Sequence, residues 1–252
     1  MLLRLICGAY LALLLSPAAI AVECSAASGP ARVALVELYT SEGCSSCPPA
    51  DRWMSQLSAQ GFNADRVIPL ALHVDYWDYI GWRDPFANPA FTARQREMAR
   101  LGRSSTVYTP QVMINGRDFR SWYSGGFARE IEEMKQTPAR ANIQLKLSKT
   151  GPDRVDALVS VTGRKDNLVL YLALYENDLL SAVSAGENSG VKLHHDYVVR
   201  EWRGPLRVGD TVLTQTLPLK PTWQSTKTGV VAFLQDANNG EVVQALQLKM
   251  CS

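Results

Sequence analysis

After its first 21 residues this sequence has no long apolar run, since no later stretch approaches the roughly 18 residues that a membrane-spanning helix requires. We therefore expect no membrane span once that first segment is removed. The sequence also has little excess charge, because 26 Lys and Arg residues stand against 24 Asp and Glu residues, for a formal net charge of +2. So small an imbalance gives no reason to expect nucleic acid or an anionic surface as a partner.

Several patterns that carry chemistry are also missing. The sequence has no Ser-His-Asp arrangement, no phosphate-binding loop and no dinucleotide fingerprint, so no cofactor is expected. Histidine is scarce, with 3 residues. The adjacent His194 and His195 would point to opposite faces of a strand, so we expect them to be structural or at the surface rather than ligands of one ion. For His73 we expect a hydrogen-bonded role in the core, with thiol tuning or metal binding as the alternative.

The first residues, MLLRLICGAYLALLLSPAAIA, combine one arginine, an apolar run and the small-x-small triplet Ala19-Ile20-Ala21. This pattern is typical of a secretory signal peptide, so residues 1–21 are predicted to be removed and the mature protein to be periplasmic or secreted. A lipoprotein modified at Cys24 is disfavoured, because Glu23 stands where a small residue is expected.

Four cysteines remain after this cleavage, namely Cys24, Cys44, Cys47 and Cys251. An even number in an oxidising compartment suggests disulfides, and four cysteines allow three pairings. The pairing that keeps the C-x-x-C motif intact joins Cys24 to Cys251, near the two ends of the mature chain. Closing so long a loop would stabilise the fold by roughly 4 to 5 kcal/mol in the chain-entropy model. The alternative is that both terminal cysteines are unpaired.

Cys44 and Cys47 lie in the segment Val36–Asp51, VELYTSEGCSSCPPAD, where an apolar, strand-like run leads into a helix start. Sulfurs at this spacing can form and break a small disulfide ring, and the N-terminus of a helix favours the reactive thiolate. Half of a zinc site and an inert structural disulfide have the same spacing, although no further Cys or His ligand lies nearby in the sequence. We interpret the motif first as a redox dithiol, with metal ligation and a structural disulfide as alternatives.

The surrounding residues predict alternating strands and helices. Residues 31–40, ARVALVELYT, are apolar on both faces apart from Arg32 and Glu37, which is typical of a central strand. Glu37 is interpreted either as a buried proton acceptor for a thiol or as a carboxylate that reaches solvent. The patterns further predict helices over 48–60 and 89–102 and a closing helix after Gly126. They also predict a strand over 67–74, in which Pro69 favours an edge position or a bulge. A hairpin is predicted over 107–120, with its turn at Asn115-Gly116.

The segment that follows the predicted strand 67–74, DYWDYIGWRDPFANP, is rich in aromatic residues without a clean period. Such a loop either packs on the rest of the protein or forms a binding surface. If strands 31–40 and 67–74 are parallel, the loop leaves the sheet at the same edge as the cysteines.

This β-α-β-α-β-β-α order resembles the thioredoxin fold, in which the C-x-x-C motif follows the first core strand and a cis-proline precedes the hairpin. The segments ELYTSEGCSSCPPAD, HVDYWDYIGWRDPF, RQREMA and YTPQVMING resemble more closely a family of exported bacterial proteins with a thioredoxin-like domain, the domain of unknown function 1223. This resemblance extends over most of the mature chain. It implies a fold and a location but no substrate.

The thioredoxin resemblance implies a cis Thr109–Pro110 bond opposite the cysteines. The expected catalytic residues are Cys44, Cys47, Pro110 and Glu37, and the expected substrate-binding residues are Asp75, Tyr76, Trp77 and Thr109. The sequence departs from thioredoxins in placing Ser45 and Ser46 between the cysteines and in placing Glu37 one residue further from Cys44 than the usual buried acid. The direction of any redox reaction is therefore left open.

Beyond Pro138 the sequence changes to alternating apolar and polar segments separated by turn residues. This texture predicts an immunoglobulin-like β-sandwich over residues 139–250, after a thioredoxin-like domain over residues 31–137. The predicted fold class is therefore α+β.

The leading prediction for function is an exported thiol-disulfide oxidoreductase, with Cys44 as nucleophile and Cys47 as resolving thiol, acting on a protein or a small-molecule thiol or disulfide. One alternative is a protein that binds or delivers Cu(I) through the two thiolates, with His73 as a possible third ligand. Another is a non-catalytic interaction module in which Cys44–Cys47 is a permanent disulfide.

Overall fold

The computed structural model describes residues 22–104, 106–149 and 151–251, so the predicted signal peptide, residues 1–21, lies outside the described residues. The described part contains the helices α1 (Pro48–Gln56), α2 (Pro89–Leu101) and α3 (Gly126–Lys135). Short 3-10 helices cover Asp78–Ile80 and Ser225–Lys227. The strands are β1 (Val22–Ala27), β2 (Ala34–Thr40), β3 (Val67–His73), β4 (Gln111–Ile114), β5 (Arg117–Asp118), β6 (Ala141–Lys149), β7 (Arg154–Gly163), β8 (Leu168–Glu176), β9 (Leu179–Ala182), β10 (Lys192–His195), β11 (Val198–Arg207), β12 (Leu213–Pro218), β13 (Thr228–Asp236) and β14 (Val242–Lys249).

Most of these strands belong to two sheets. The larger sheet has eight strands in the order β14-β13-β8-β11-β3-β2-β4-β5, and the smaller has four in the order β1-β6-β7-β12. Strands β9 and β10 form a separate two-stranded ribbon. A protein with so many strands and few helices belongs to the α+β class, as predicted. None of the described helices is long and apolar enough to cross a membrane.

Local sequence signals account for the ends of several elements. Asn88 caps α2, because its Oδ1 accepts a hydrogen bond from the Ala90 N–H at 2.9 Å, and Pro89 occupies the first turn. The hairpin of β4 and β5 turns at Asn115 and Gly116, whose φ angles of 46° and 82° lie in the left-handed region. The predicted helix and the predicted hairpin are therefore confirmed.

Strand β3 lies between β2 and β11, so the expectation of an edge strand is wrong. The position of Pro69 explains why a proline is tolerated there. Pairing of β3 with β11 is limited to Ala71 and Val198, and the Ala71 N–H donates to the Tyr197 carbonyl oxygen. Pro69 precedes Ala71 by two residues, so its backbone nitrogen is directed toward the same neighbour, β11. Because β11 pairs with β3 only at Ala71, the sheet requires no N–H from residue 69.

The helices cover opposite faces of the larger sheet. Alternate residues of β2 contact opposite helices: Ala34, Val36 and Leu38 pack with α1 and α3, whereas Leu35 and Tyr39 pack with residues of α2. Every residue of β2 is buried. Because both faces of β2 are buried, residues 31–40 lack the alternation of apolar and polar residues that is typical of a half-exposed strand.

The second half of the chain extends the same sheet, since β8, β11, β13 and β14 continue it beyond β3. The four-stranded sheet packs on one face of this extension through an apolar cluster that includes Leu145, Leu172 and Val230. The described chain therefore has two sheets packed face to face at one end and helices on both faces at the other.

A disulfide joins the two ends of the described chain. It connects Cys24 in β1 to Cys251 after β14, with a Cα–Cα distance of 5.5 Å and a sequence separation of 227. This is the pairing expected from the sequence.

Candidate functional site

A second disulfide, between Cys44 and Cys47, lies where the chain leaves β2 and enters α1. Their Cα atoms are 5.4 Å apart. Cys47 is the N-cap residue of α1, and its carbonyl oxygen accepts hydrogen bonds from the N–H groups of Ala50 and Asp51. The helix begins at Pro48, so Cys44 lies in the turn before it and not in its first turn.

The first turn of α1 has few free donors. Pro48 and Pro49 have no N–H, and the next two N–H groups already bond to Cys47. A thiolate at Cys44 would depend on the helix dipole and on the amides of the C-x-x-C turn itself.

Both sulfur-bearing residues are buried. Cys44 is 1% exposed and Cys47 is 0% exposed, whereas Ser45 and Ser46 between them are exposed. The side of the disulfide that faces solvent is therefore covered by other residues.

The cover comes from the second half of the chain. We call residues 183–191, which connect β9 to β10, the covering segment. Its buried Asn188 donates hydrogen bonds from Nδ2 to the carbonyl oxygens of Glu42 and Cys44, at 2.8 and 3.0 Å. Its Glu187 accepts a hydrogen bond from the Ser45 N–H at 2.9 Å. These contacts hold the segment against both sides of Cys44, and no sequence pattern predicts them.

Five ionisable side chains are buried around the same turn, and we call them the buried ionisable cluster: Glu42, Asp51, His73, Asp84 and His195. They come from the turn before Cys44, from α1, from β3, from the aromatic-rich loop between β3 and α2 (residues 75–88) and from β10. His195 faces this cluster while its neighbour His194 is half-exposed and contacts Asp178. The opposite orientation of the two histidines is confirmed, but the sequence did not identify His195 as a site residue.

Hydrogen bonds connect the members of the cluster. His195 Nε2 lies 3.2 Å from Glu42 Oε1, and Glu42 Oε2 accepts a hydrogen bond from Trp82 Nε1 at 2.8 Å. His73 Nδ1 lies 2.7 Å from Asp84 Oδ2, which also accepts the Glu42 N–H at 2.9 Å. The two imidazole rings are 5.0 Å apart.

Within the buried ionisable cluster, the pKa values of Asp51 and His73 are raised and that of Asp84 is lowered. Burial raises the pKa of Asp51, although His195 and His73 oppose that rise. Burial would lower the pKa of His73, but Asp84, together with Asp51 and Glu42, outweighs burial and the net shift is upward. Burial would raise the pKa of Asp84, but His73 outweighs it and the net shift is downward. His73 and Asp84 thus behave as an ion pair, and Asp51 as a carboxyl with increased proton affinity.

Glu37 is buried, but Arg94 of α2 binds both of its oxygens, with Nε–Oε1 at 2.5 Å and Nη2–Oε2 at 3.1 Å. Aromatic rings surround the guanidinium, whose carbon lies 4.7 to 5.1 Å from the ring centroids of Tyr171, Trp202 and Phe233. Glu37 is on the face of β2 that carries α2, whereas the disulfide leads into α1 on the other face. Because Glu37 is fully buried, its interpretation as a carboxylate that reaches solvent is wrong.

Of the expected substrate-binding residues, Trp77 lies against the turn that holds the disulfide, and Thr109 contacts Trp77. Trp77 Nε1 donates to Thr109 Oγ1 at 2.7 Å, and a Cβ added at Gly43 would lie 3.2 Å from Trp77 Cβ. The Thr109–Pro110 bond is cis, as the resemblance implied. Asp75 accepts a hydrogen bond from Thr92 Oγ1 at 2.5 Å, which ties this loop to α2.

Metal binding was an alternative suggested by the sequence. Within residues 22–104, 106–149 and 151–251, no group of three or more His, Cys, Asp or Glu side chains has an arrangement that could hold a metal ion. His73, the suggested third ligand, instead contacts Asp84.

Fold and site together define an α+β protein with a disulfide at the start of a helix. Residues 35–235 match the family described as "Protein of unknown function (DUF1223)", and the chain belongs to this family. The resemblance stated from the sequence motifs is therefore confirmed.

Two solved structures are similar to this chain. Protein AGR_C_4864 from Agrobacterium tumefaciens has 26% sequence identity and a TM-score of 0.65, over 88% of this chain and 96% of that chain. HBP35 of Porphyromonas gingivalis has 17% identity and a TM-score of 0.65, over 88% of this chain and 76% of that chain, and at this identity the likeness concerns the fold alone. Among curated proteins, none matches the sequence.

Proposed function

We propose that the protein is an exported thiol-disulfide oxidoreductase whose reacting pair is Cys44 and Cys47. The observation that carries this proposal is the Cys44–Cys47 disulfide at the start of α1, with ionisable side chains buried around it. Perturbed ionisable groups that surround a nucleophile are typical of functional sites. In this proposal residues 31–137 form a thioredoxin-like unit and residues 139–250 an immunoglobulin-like sandwich that shares its sheet.

The reaction is an exchange of disulfides. In the reduced protein the Cys44 thiolate attacks one sulfur of a substrate disulfide, a Cys44–substrate bond forms, and the first substrate thiolate leaves and takes up a proton. Cys47 then loses its proton and attacks the Cys44 sulfur, which forms the Cys44–Cys47 bond and releases the second substrate thiol. The substrate gains two electrons and the protein dithiol loses them, and the reverse sequence oxidises a substrate dithiol.

The substrate would be a protein or a small molecule that carries a thiol or a disulfide. Trp77, which lies against Gly43 in the turn that holds Cys44, and Thr109, which accepts a hydrogen bond from Trp77, would contact it. The two disulfides suit an oxidising compartment, and with the predicted signal peptide they support a periplasmic or secreted location.

The test uses the purified mature protein after reduction. Wild-type protein should reduce a small aromatic disulfide with stoichiometric release of two thiols. Cys47→Ser should release one thiol and keep a mixed disulfide on Cys44, visible by intact mass, whereas Cys44→Ser should trap none. A protein without Cys24 and Cys251, made by Cys24→Ser and Cys251→Ser, is the matched control and should still react through Cys44. The proposal fails if the wild-type protein releases no thiol.

The burial of both sulfur-bearing residues favours a second candidate, a non-catalytic interaction module with a permanent Cys44–Cys47 disulfide. The reduction potential distinguishes the two functions. A structural disulfide resists the glutathione pool and has a potential below about −300 mV, whereas an exchanging pair has a higher potential. Equilibration of the protein with glutathione buffers, followed by alkylation and mass analysis, measures this potential.

A further inference from the structure

The proposed exchange requires that the Cys47 thiol lose a proton in a place that water does not reach, since Cys47 is 0% exposed. A buried thiol needs a neighbouring group that accepts this proton. The sequence suggested Glu37, but both oxygens of Glu37 are held by Arg94. Glu37 is therefore not free to accept this proton.

Asp51 is the carboxyl that follows Cys47 by one helical turn. The Asp51 N–H donates to the Cys47 carbonyl oxygen at 3.1 Å, and residues four apart lie on the same face of a helix. Asp51 is 7% exposed, so this shared face is turned into the protein.

His195 faces Asp51 from the second half of the chain. Its Nδ1 lies 4.0 Å from Asp51 Oδ2 and has no hydrogen-bond partner among the described residues. Its Nε2 is held by Glu42, which Trp82 fixes in turn. The imidazole is thus oriented through Nε2, and its free Nδ1 is directed at a carboxyl that can gain or lose a proton.

The other charged groups around Asp51 are His73 and Asp84, which pair with each other. The nearby Thr40 hydroxyl also opposes the rise in the pKa of Asp51. Burial raises the pKa of Asp51 and brings its proton affinity closer to that of a thiol, whereas the imidazoles moderate the rise.

We propose that Asp51 exchanges the proton of Cys47 during disulfide exchange and that His195 is the positioning residue that tunes it. When Cys47 attacks the Cys44 sulfur, the Cys47 S–H proton passes to the Asp51 carboxylate. In the reverse direction the protonated Asp51 returns it to the Cys47 thiolate as that sulfur leaves. This inference rests on the proposed function, and it assigns Glu37 to the ion pair with Arg94.

The experiment separates the two chemical steps in the reduced mature protein. With a small aromatic disulfide, the first released thiol reports attack by Cys44 and the second reports attack by Cys47. The proteins compared between about pH 6 and pH 9, around the ordinary pKa of a thiol, are wild type, Asp51→Asn, His195→Gln and Glu37→Gln. Glu37→Gln is the matched control, because it also removes a buried carboxylate but on the other face of β2.

In Asp51→Asn we expect the second release to slow at least tenfold at neutral pH, since general acid–base catalysis contributes about 10²-fold or more, while the first release stays within about twofold. His195→Gln should shift the pH dependence of the second release. Glu37→Gln should lower the melting temperature and leave both pH profiles unchanged.

A second release in Asp51→Asn at the wild-type rate across this pH range contradicts the inference, and it leaves the proposed function intact. If Asp51→Asn does not fold, His195→Gln decides, because an unaltered pH profile of its second release contradicts the inference equally. A wild-type protein that releases neither thiol refutes the proposed function, and the inference with it.

Discussion

The side-chain amide of Asn188 donates a hydrogen bond to the carbonyl oxygen of Cys44, at 3.0 Å, although 144 residues separate them in the chain. The same amide bonds to the carbonyl oxygen of Glu42. The covering segment of the second half of the chain is thereby hydrogen-bonded to the backbone of the turn that holds the disulfide.

Asn188→Ala should expose the disulfide. The substitution leaves two carbonyl oxygens without this donor, so we expect a loss of about 1–3 kcal/mol in the free energy of unfolding. We also expect faster reduction of Cys44–Cys47 by dithiothreitol, because the covering segment would detach more often. Alkylation and mass analysis measure the rate. The control is Asn239→Ala, which removes a hydrogen bond from the Glu241 N–H in the turn between β13 and β14 and should not change that rate. Equal reduction rates in Asn188→Ala and wild type would show that the segment does not limit access.

Glu187→Gln should make reduced Cys44 more reactive. The Glu187 carboxylate accepts a hydrogen bond from the Ser45 N–H. Hydrogen bonding from Ser45 lowers the pKa of Glu187, so this carboxylate is charged at neutral pH. A negative charge beside Cys44 disfavours its thiolate, which is the reactive form. Because the charge is exposed and screened, we expect iodoacetamide to react only about two- to fivefold faster at pH 7 and low salt.

Two controls test the electrostatic origin of that change. The difference between Glu187→Gln and wild type should shrink in high salt. Glu97→Gln, which removes an exposed carboxylate paired with Arg100, should leave the rate unchanged. A difference that persists unchanged at high salt would point to a structural effect of the substitution.

Arg94→Met should destabilise the protein strongly. It leaves the fully buried Glu37 carboxylate without its partner, and such a change costs about 3–5 kcal/mol. The double variant Glu37→Gln/Arg94→Met should recover part of this loss, which a double-mutant cycle in urea measures. Arg100→Met, at the exposed pair with Glu97, should have little effect on stability. Strictly additive effects of the two core substitutions would contradict a coupled pair.

The stability that His73 provides should depend on pH. Burial would lower the pKa of His73, but Asp84, together with Asp51 and Glu42, raises it above its ordinary value of 6.5 in the folded protein. The folded state therefore binds this proton more tightly than the unfolded state, so its contribution is complete below about pH 6.5 and is lost as pH rises through the raised pKa.

We accordingly expect the stability difference between wild type and His73→Gln to be larger at pH 6 than at pH 9, as measured by urea unfolding. His194→Gln, at a half-exposed position, should keep the wild-type pH dependence. A difference that grows toward pH 9 would reverse the assignment of His73 and Asp84 as an ion pair.

The sequence by itself determined the local features of this protein. Proline and asparagine positions predicted where α1 and α2 begin, Asn115-Gly116 predicted the hairpin, and these signals suffice because they act within a few residues. The count and spacing of cysteines favoured Cys24–Cys251 as the pairing that leaves the C-x-x-C motif intact, with unpaired ends as the alternative, and the structure contains this disulfide and Cys44–Cys47.

Only the tertiary structure decided which buried polar groups meet. Successive side chains of a strand lie on opposite faces, so Glu37 and His195 each had to lie on one face of β2 and β10, but this rule does not identify the element that packs on that face. The second half of the chain joins the first through the pairing of β11 with β3, and this contact between distant segments leaves no local period in the sequence. For that reason Arg94 as the partner of Glu37, and His195 and Asn188 as residues of the disulfide site, were decided by long-range packing.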